Sequence, residues 1–187
     1  KEIAVGPEFL GWLTDPVKNG AGALFDFGCY GANLMTWMMD NQRPVAVTAI
    51  TQTFKPQIYA HVDDEATVVI EYPKAQGIIQ GSWNWPFSRK DFEVYGERGY
   101  AIATGGDALR VRLPGGEEKS RVLPALDQDR HDSLSYLTAV VHGNLKPAGL
   151  SSLENNLIVT EILVAARESA RTGRTIKLGA TLQDTAR

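Results

Sequence analysis

Asp26, Tyr30, Asn33 and Trp37 follow one another at spacings of four, three and four residues. At about 100° per residue they share one side of a helix, within about 60° of one another. An acid, a phenol and an amide stacked in this way can bind hydroxyls and pass a proton. Tyr30 would donate or relay a proton to a substrate oxygen, and Asp26 would bind a hydroxyl or tune the phenol. A free phenol titrates near pH 10, so Tyr30 acts as a base at neutral pH only if its neighbours lower it. The same stripe also suits a polar anchor for a surface loop, and the residues alone leave both readings open. Gly28, Gly31 and Ala32 beside it would let a ligand or a second backbone come close.

Other side chains carry weaker signals. Trp12, Asp15, Lys18 and Asn19 precede the stripe and could form a substrate wall or a plain surface loop. Trp83 and Trp85 are expected on one strand face, suited to stacking on a sugar or to packing in a core or dimer interface. Arg89 and Lys90 could contact an acidic substrate group or a phosphate, and read more simply as a solvated turn. Asp63-Asp64-Glu65 has no turn glycine and matches no loop-type calcium site, so no metal is expected. His61, His131 and His142 lie far apart without ligand spacing.

Missing motifs narrow the chemistry further. There are 18 glycines, yet none is arranged as a nucleotide loop. Gly20-Ala21-Gly22-Ala23-Leu24-Phe25 stops one residue short of G-x-G-x-x-G and follows a loop where the fingerprint needs a strand. No G-x-x-x-x-G-K-[ST], H-E-x-x-H, C-x-x-C or G-x-S-x-G occurs, so phosphate-loop, zincin, redox and hydrolase readings lose their anchors.

The elements that would position these residues follow from periodicity and punctuation. Residues 1–19 read as a short strand and an irregular loop, with Pro7, Asp15-Pro16 and Asn19-Gly20 as breaks. Residues 21–39 read as one helix whose packed side is Leu24, Phe27, Gly31, Leu34 and Met38. Alternating runs over 45–54, 66–72, 77–85, 91–95, 100–104 and 109–113 predict strands. Short connections make neighbouring strands antiparallel, giving one meander-like sheet. Asp132 should cap a helix over 133–142. Ser151-Ser152-Leu153-Glu154 reads as a capping box opening a helix to about residue 172, with Gly173 as its stop. A short strand over 175–178 closes an α+β fold, an open and mainly antiparallel sheet with helices on one face.

Composition sets the class. The chain has 187 residues, 43% hydrophobic and 22% charged. A chain of this length hides roughly 70% of its unfolded surface and can build a core without metals or disulfides. Lys+Arg 19 against Asp+Glu 22 gives a net charge of -3, which offers no attraction for nucleic acid or anionic lipid. The single Cys29 cannot form an internal disulfide, which suits a reducing compartment and a cytoplasmic location. No apolar run approaches the roughly 20 residues of a membrane span. The opening Lys1-Glu2-Ile3-Ala4-Val5 reads as the middle of a strand, which suggests that a preceding portion has been cut away.

Residues 20–33, Gly-Ala-Gly-Ala-Leu-Phe-Asp-Phe-Gly-Cys-Tyr-Gly-Ala-Asn, resemble the G-G-G-x-L-x-D-x-G-x-[HY]-x-x-[DN] signature of the glucose-fructose oxidoreductase, inositol dehydrogenase and rhizopine-catabolism (Gfo/Idh/MocA) family. Ser82-Trp83-Asn84-Trp85, leading to Phe92-Glu93-Val94-Tyr95-Gly96-Glu97-Arg98-Gly99-Tyr100, is similar to the family's strand and E-x-x-G-x-x-G hairpin. Residues 150–156 and 169–174 are similar to the two ends of its closing helix.

The resemblance implies that residues 1–187 are a C-terminal substrate-binding and oligomerisation domain, without the dinucleotide-binding domain that precedes it in the family. It implies NAD(P)-dependent chemistry on a sugar, polyol or related hydroxyl compound, and a homo-oligomer formed through the sheet. Asp26 matches the substrate-side acid, Tyr30 a position that is His in many members, and Asn33 the Asp or Asn position. Asp26 and Tyr30 are therefore the catalytic candidates, and Asn33, Trp12, Lys18 and Asn19 the substrate-binding ones. NAD or NADP is expected in the full-length protein and no cofactor on the isolated chain, which is expected to be inactive. The family's Glu-Lys-Pro lysine has no match, since neither Lys55-Pro56 nor Lys146-Pro147 follows a Glu. The competing expectation is a carbohydrate-binding or assembly domain that uses the same sheet without catalysis.

Overall fold

The computed structural model describes residues 5–179, which form two compact units: residues 5–84 with 147–179, and Trp85–Lys146. The strand expected at the start falls largely on residues 1–4, outside the described residues.

The first unit opens with helix α1, Pro7–Leu13, where an irregular loop was expected. Pro7 stands in the first turn, where its missing N–H costs nothing, and Glu8 faces the positive helix end. Leu13 is buried and Leu10 packs beside it.

The single helix expected over 21–39 is two. Helix α2, Gly22–Asp26, ends at Phe27 and α3, Gly28–Met38, begins after it. The break shifts the helical phase. Gly28, Ala32 and Thr36 are the buried stripe of α3, while Met38 of the expected stripe is exposed. Glycines on both sides let α3 lie against the sheet. A Cβ on Gly31 would sit 2.6 Å from Ile79 Cγ2, and one on Gly77 would sit 2.0 Å from Met35 Cε. The close approach expected at Gly28, Gly31 and Ala32, for a ligand or a second backbone, is made at both glycines by side chains of the protein: Leu163 lies 3.6 Å from a Cβ on Gly28.

Strands β1, Ala46–Gln52, β2, Glu65–Tyr72, and β3, Ala75–Ser82, form an antiparallel meander as expected. Helix α5, Leu153–Thr172, leads to β8, Ile176–Lys177, which pairs with β1 and completes the order β3-β2-β1-β8. Helices α3 and α5 cover one face, where Val47, Val68, Ile70 and Ile79 meet Ile158, Ile162 and Ala166. Ser152 caps α5 by accepting the Asn155 amide at 3.2 Å, one residue later than the expected box from Ser151. Gly173, at φ 66, closes it in the left-handed conformation.

In the second unit β4, Phe92–Gly96, β5, Gly99–Ala103, β6, Ala108–Arg112, and β7, Lys119–Val122, form a separate antiparallel sheet in chain order. The one continuous sheet expected is therefore two. β3 stops at Ser82, and the connection through Trp85-Pro86 supplies no hairpin pairing to β4. Helix α4, Ser133–Val141, is capped as expected, with Asp132 accepting the Ser135 amide at 2.8 Å.

The acid run before β2 is internal wiring. Asp63 Oδ2 accepts the Leu24 amide at 2.7 Å and its carbonyl accepts the Ala23 amide at 2.9 Å, so it caps α2 from across the fold. The buried Asp64 accepts the Phe54 and Lys55 amides, both at 2.8 Å, and its carbonyl accepts the Trp83 amide at 2.9 Å. A Cβ on Gly22 would lie 1.8 Å from the Asp63 carbonyl oxygen, so only glycine fits there.

Two stability effects follow. Gly22→Ala must push α2 off Asp63 and should cost roughly 3 kcal/mol or more in urea unfolding. Burial pushes the Asp63 carboxyl up, with the Leu24 amide opposing. A raised folded value favours the protonated native state, so its contribution is full below the unfolded value of about 4 and is lost as pH rises through the folded one. Asp63→Asn keeps an acceptor oxygen but does not titrate. Its stability relative to the parent should therefore climb as pH rises from about 4 through the raised folded value, and a constant difference would contradict the sign.

Candidate functional site

Asp26 is the last residue of α2, and its Oδ2 accepts the Trp83 indole N–H at 3.0 Å. Trp83 is 3% exposed and rests on Tyr59, with ring centroids 5.0 Å apart. The pair belongs to a small core with Leu13, Ala23 and Val62. Neither Trp83 nor Trp85 lies within a strand, contrary to expectation. Trp85, in the second unit, is covered by the Arg89 guanidinium at 5.3 Å.

Tyr30 lies in the first turn of α3 and is 58% exposed. Between it and Asp26, the Cys29 Sγ donates to the Asp26 carbonyl at 3.4 Å. Burial, followed by the Asp26 charge, pushes the Cys29 thiol up. Asn33 is a brace: its Nδ2 donates to the Leu150 carbonyl at 3.0 Å and to Asn156 Oδ1 at 3.2 Å, tying α3 to the start of α5. Trp37 is exposed at the far end, against Gly149. The expected stripe is thus divided. Asp26 stands on α2 under an indole, Tyr30 and Trp37 are open on α3, and Asn33 links helices.

The preceding segment is ordered by its own side chains. Trp12 is 44% exposed and stacks with Phe9 at 5.3 Å. Asp15 Oδ1 accepts the Val17 and Lys18 amides at 2.9 and 3.2 Å, and these bonds hold its carboxyl below the ordinary range. Lys18 Nζ lies 3.4 Å from Asp15, an exposed pair of little energetic weight. Asn19 Nδ2 donates to the Ala21 carbonyl at 2.9 Å and fixes the approach to α2.

The residues present do not fit a dinucleotide at the near-motif of 20–25. The Ala23 and Leu24 amides, which would face a phosphate, already face Asp63. Among the described residues no three His, Cys, Asp or Glu side chains are placed to hold a metal ion, and no helix is long and apolar enough to cross a membrane. Shallow hollows in the second unit are lined by Glu97, Tyr100, Arg112 and Leu113 and contain none of the candidate residues.

Sequence reasoning missed the tie between Trp83 and Asp26. The two are 57 positions apart, and no spacing rule joins a helix end to a residue just past a strand.

A family profile described as the GFO/IDH/MocA C-terminal domain matches residues 4–102. No curated protein sequence matches the chain. Among solved structures it is similar to aldose-aldose oxidoreductase from Caulobacter crescentus complexed with glycerol, at 24% identity and TM-score 0.75 over 89% of this chain and 50% of that one. An inositol dehydrogenase homolog from Azotobacter vinelandii, complexed with NAD+, gives 19% identity and TM-score 0.69 over 91% and 52%. GenD2 from gentamicin A biosynthesis, in complex with NAD, gives 26% and 0.66 over 90% and 51%. The chain spans about half the length of these structures.

The raised thiol makes Cys29 a poor nucleophile. Iodoacetamide at neutral pH should label it more slowly than an unfolded control; equal rates would contradict this environment.

Proposed function

This chain belongs to the family of GFO/IDH/MocA C-terminal domains, and from that premise we propose that it is the substrate side of an NAD(P)-dependent oxidoreductase acting on a sugar, polyol or related hydroxyl compound. The observation that carries the reading is a carboxylate, Asp26, pinned by a buried indole and followed four residues later, across the break at Phe27, by an exposed phenol, Tyr30. Structures similar in fold include an aldose-aldose oxidoreductase complexed with glycerol, and an inositol dehydrogenase homolog and GenD2, each complexed with NAD.

On this reading Asp26 accepts a hydrogen bond from the substrate hydroxyl, and Tyr30 relays the proton that leaves or reaches the reacting oxygen. The nicotinamide, when bound, supplies the hydride acceptor or donor. On this reading the dinucleotide rests on a separate domain of the parent protein, and the near-motif here, filled by Asp63, is not its site. Asn33 offers the substrate its Oδ1, since its Nδ2 is engaged. Trp12 offers an apolar ring, and Lys18 and Asn19 a polar edge. A single, partly buried free thiol suits the cytoplasm, where this reading places the protein.

The outer face of the first sheet supports assembly with a second copy. Ile50 and Ile78 are 67% and 70% exposed there, with Val69 directly opposite Ile78. The same face favours the rival reading, a carbohydrate-binding or assembly domain without catalysis.

The test uses the parent protein with NAD+ or NADP+ and glycerol, glucose or myo-inositol as probes. Asp26→Asn and Tyr30→Phe should each lower kcat by roughly 10²–10⁴-fold and leave oligomeric state alone. Ile78→Lys should shift the oligomer toward monomer in sedimentation. Unchanged turnover in the first two variants, with assembly lost in the third, would decide for the rival. NADH or NADPH at micromolar concentration should not bind the isolated chain.

A further inference from the structure

We propose that Trp83 is the positioning residue for Asp26, an inference that rests on the catalytic reading of Asp26 above. Asp26 ends a five-residue helix, and the helix is interrupted at Phe27 immediately after it. A helix this short does not hold its own last side chain in register. The orientation of the carboxylate must therefore be imposed from outside α2.

Trp83 can do this, because every degree of freedom of its donor is fixed by something else. Its backbone N–H donates to the Asp64 carbonyl, and the Asp64 carboxylate is itself held by the Phe54 and Lys55 amides. Its ring is closed in by Tyr59, which is fully buried, and by Leu13 and Ala23. An indole N–H donates and cannot accept, so it always presents the same requirement to the carboxylate. Binding Oδ2 at 3.0 Å also sets the direction of Oδ1. The result is an acid held from the end of the first sheet, with its partner's packing formed by the core and independent of any substrate. That is preorganisation of the kind that raises rate by placement.

The test is a double-mutant cycle in the full-length protein with its nicotinamide cofactor and glycerol or glucose as probe. Trp83→Phe keeps an aromatic ring against Tyr59 but removes the N–H. It should lower kcat roughly ten- to a hundred-fold while KM for the nicotinamide stays within about two-fold. In an Asp26→Asn background the same change should add nothing further, because Trp83 acts through that carboxylate. Multiplicative losses, or an unchanged kcat in Trp83→Phe alone, overturn the inference and leave the role of Asp26 standing. An unchanged kcat in Asp26→Asn alone overturns the catalytic reading instead. If Trp83→Phe does not fold, the indole N–H resonances decide. Asp26→Asn should shift the signal of Trp83 and leave those of Trp12, Trp37 and Trp85 in place; an unmoved Trp83 signal overturns the proposal.

Discussion

The first unit depends on two adjacent carboxylates that serve the backbone. Asp63 receives the amides that open α2, and Asp64 receives those of Phe54 and Lys55 while its carbonyl receives that of Trp83. Burying a carboxyl without partners costs several kcal/mol, and each amide bond offsets part of that cost, although at Asp63 burial still outweighs the Leu24 amide. The pair is therefore stable where it is because the loops and α2 are folded around it, and those segments are folded because the pair is there. Nothing in the intrinsic stability of a five-residue helix would hold α2. Removing its cap would release Asp26 along with it.

The same clamp explains a glycine pattern that looks like a nucleotide loop. Gly22 is glycine because the Asp63 carbonyl occupies the place of its Cβ; of the amides after it, that of Ala23 meets the same backbone carbonyl and that of Leu24 the Asp63 carboxyl. A helix N-terminus attracts anions, and here the anion is intramolecular. The motif and its absence of function thus have one cause. Membership of the family rests on the profile match, while the solved structures at 19% and 24% identity add the fold.

How much of this was legible depended on the range over which each residue acts. Asp132 and Gly173 act within one turn, and their helices ended where they were expected. Strands β1 to β3 alternate buried and exposed residues and were readable. β7 was not, because all four of its residues are exposed and leave no alternation. α1 was hidden by Pro7, which reads as a loop breaker but sits at a helix start. The break at Phe27 was hidden because the apolar period runs through it. For the site, residue types pointed to Asp26 and Tyr30, but its fixing residues did not show. Asp63 reaches Leu24 across 39 positions, and Trp83 reaches Asp26 across 57. Contacts of that range are set by topology, which a periodicity cannot encode.

The burial of α3 carries a last consequence for the proposed chemistry. Its small stripe of Gly28, Ala32 and Thr36 is used up by packing in the core, so the side left to solvent carries Tyr30 and Trp37. The acid and the phenol therefore differ in kind: Asp26 is held by the core, whereas Tyr30 lies in an open environment. Proton transfer from a phenol gains most when water is excluded, since a low local dielectric strengthens every interaction that guides it. The described residues leave the Tyr30 side chain more than half exposed, so on the proposed reading the packing of the first unit places the acid but does not dry the phenol.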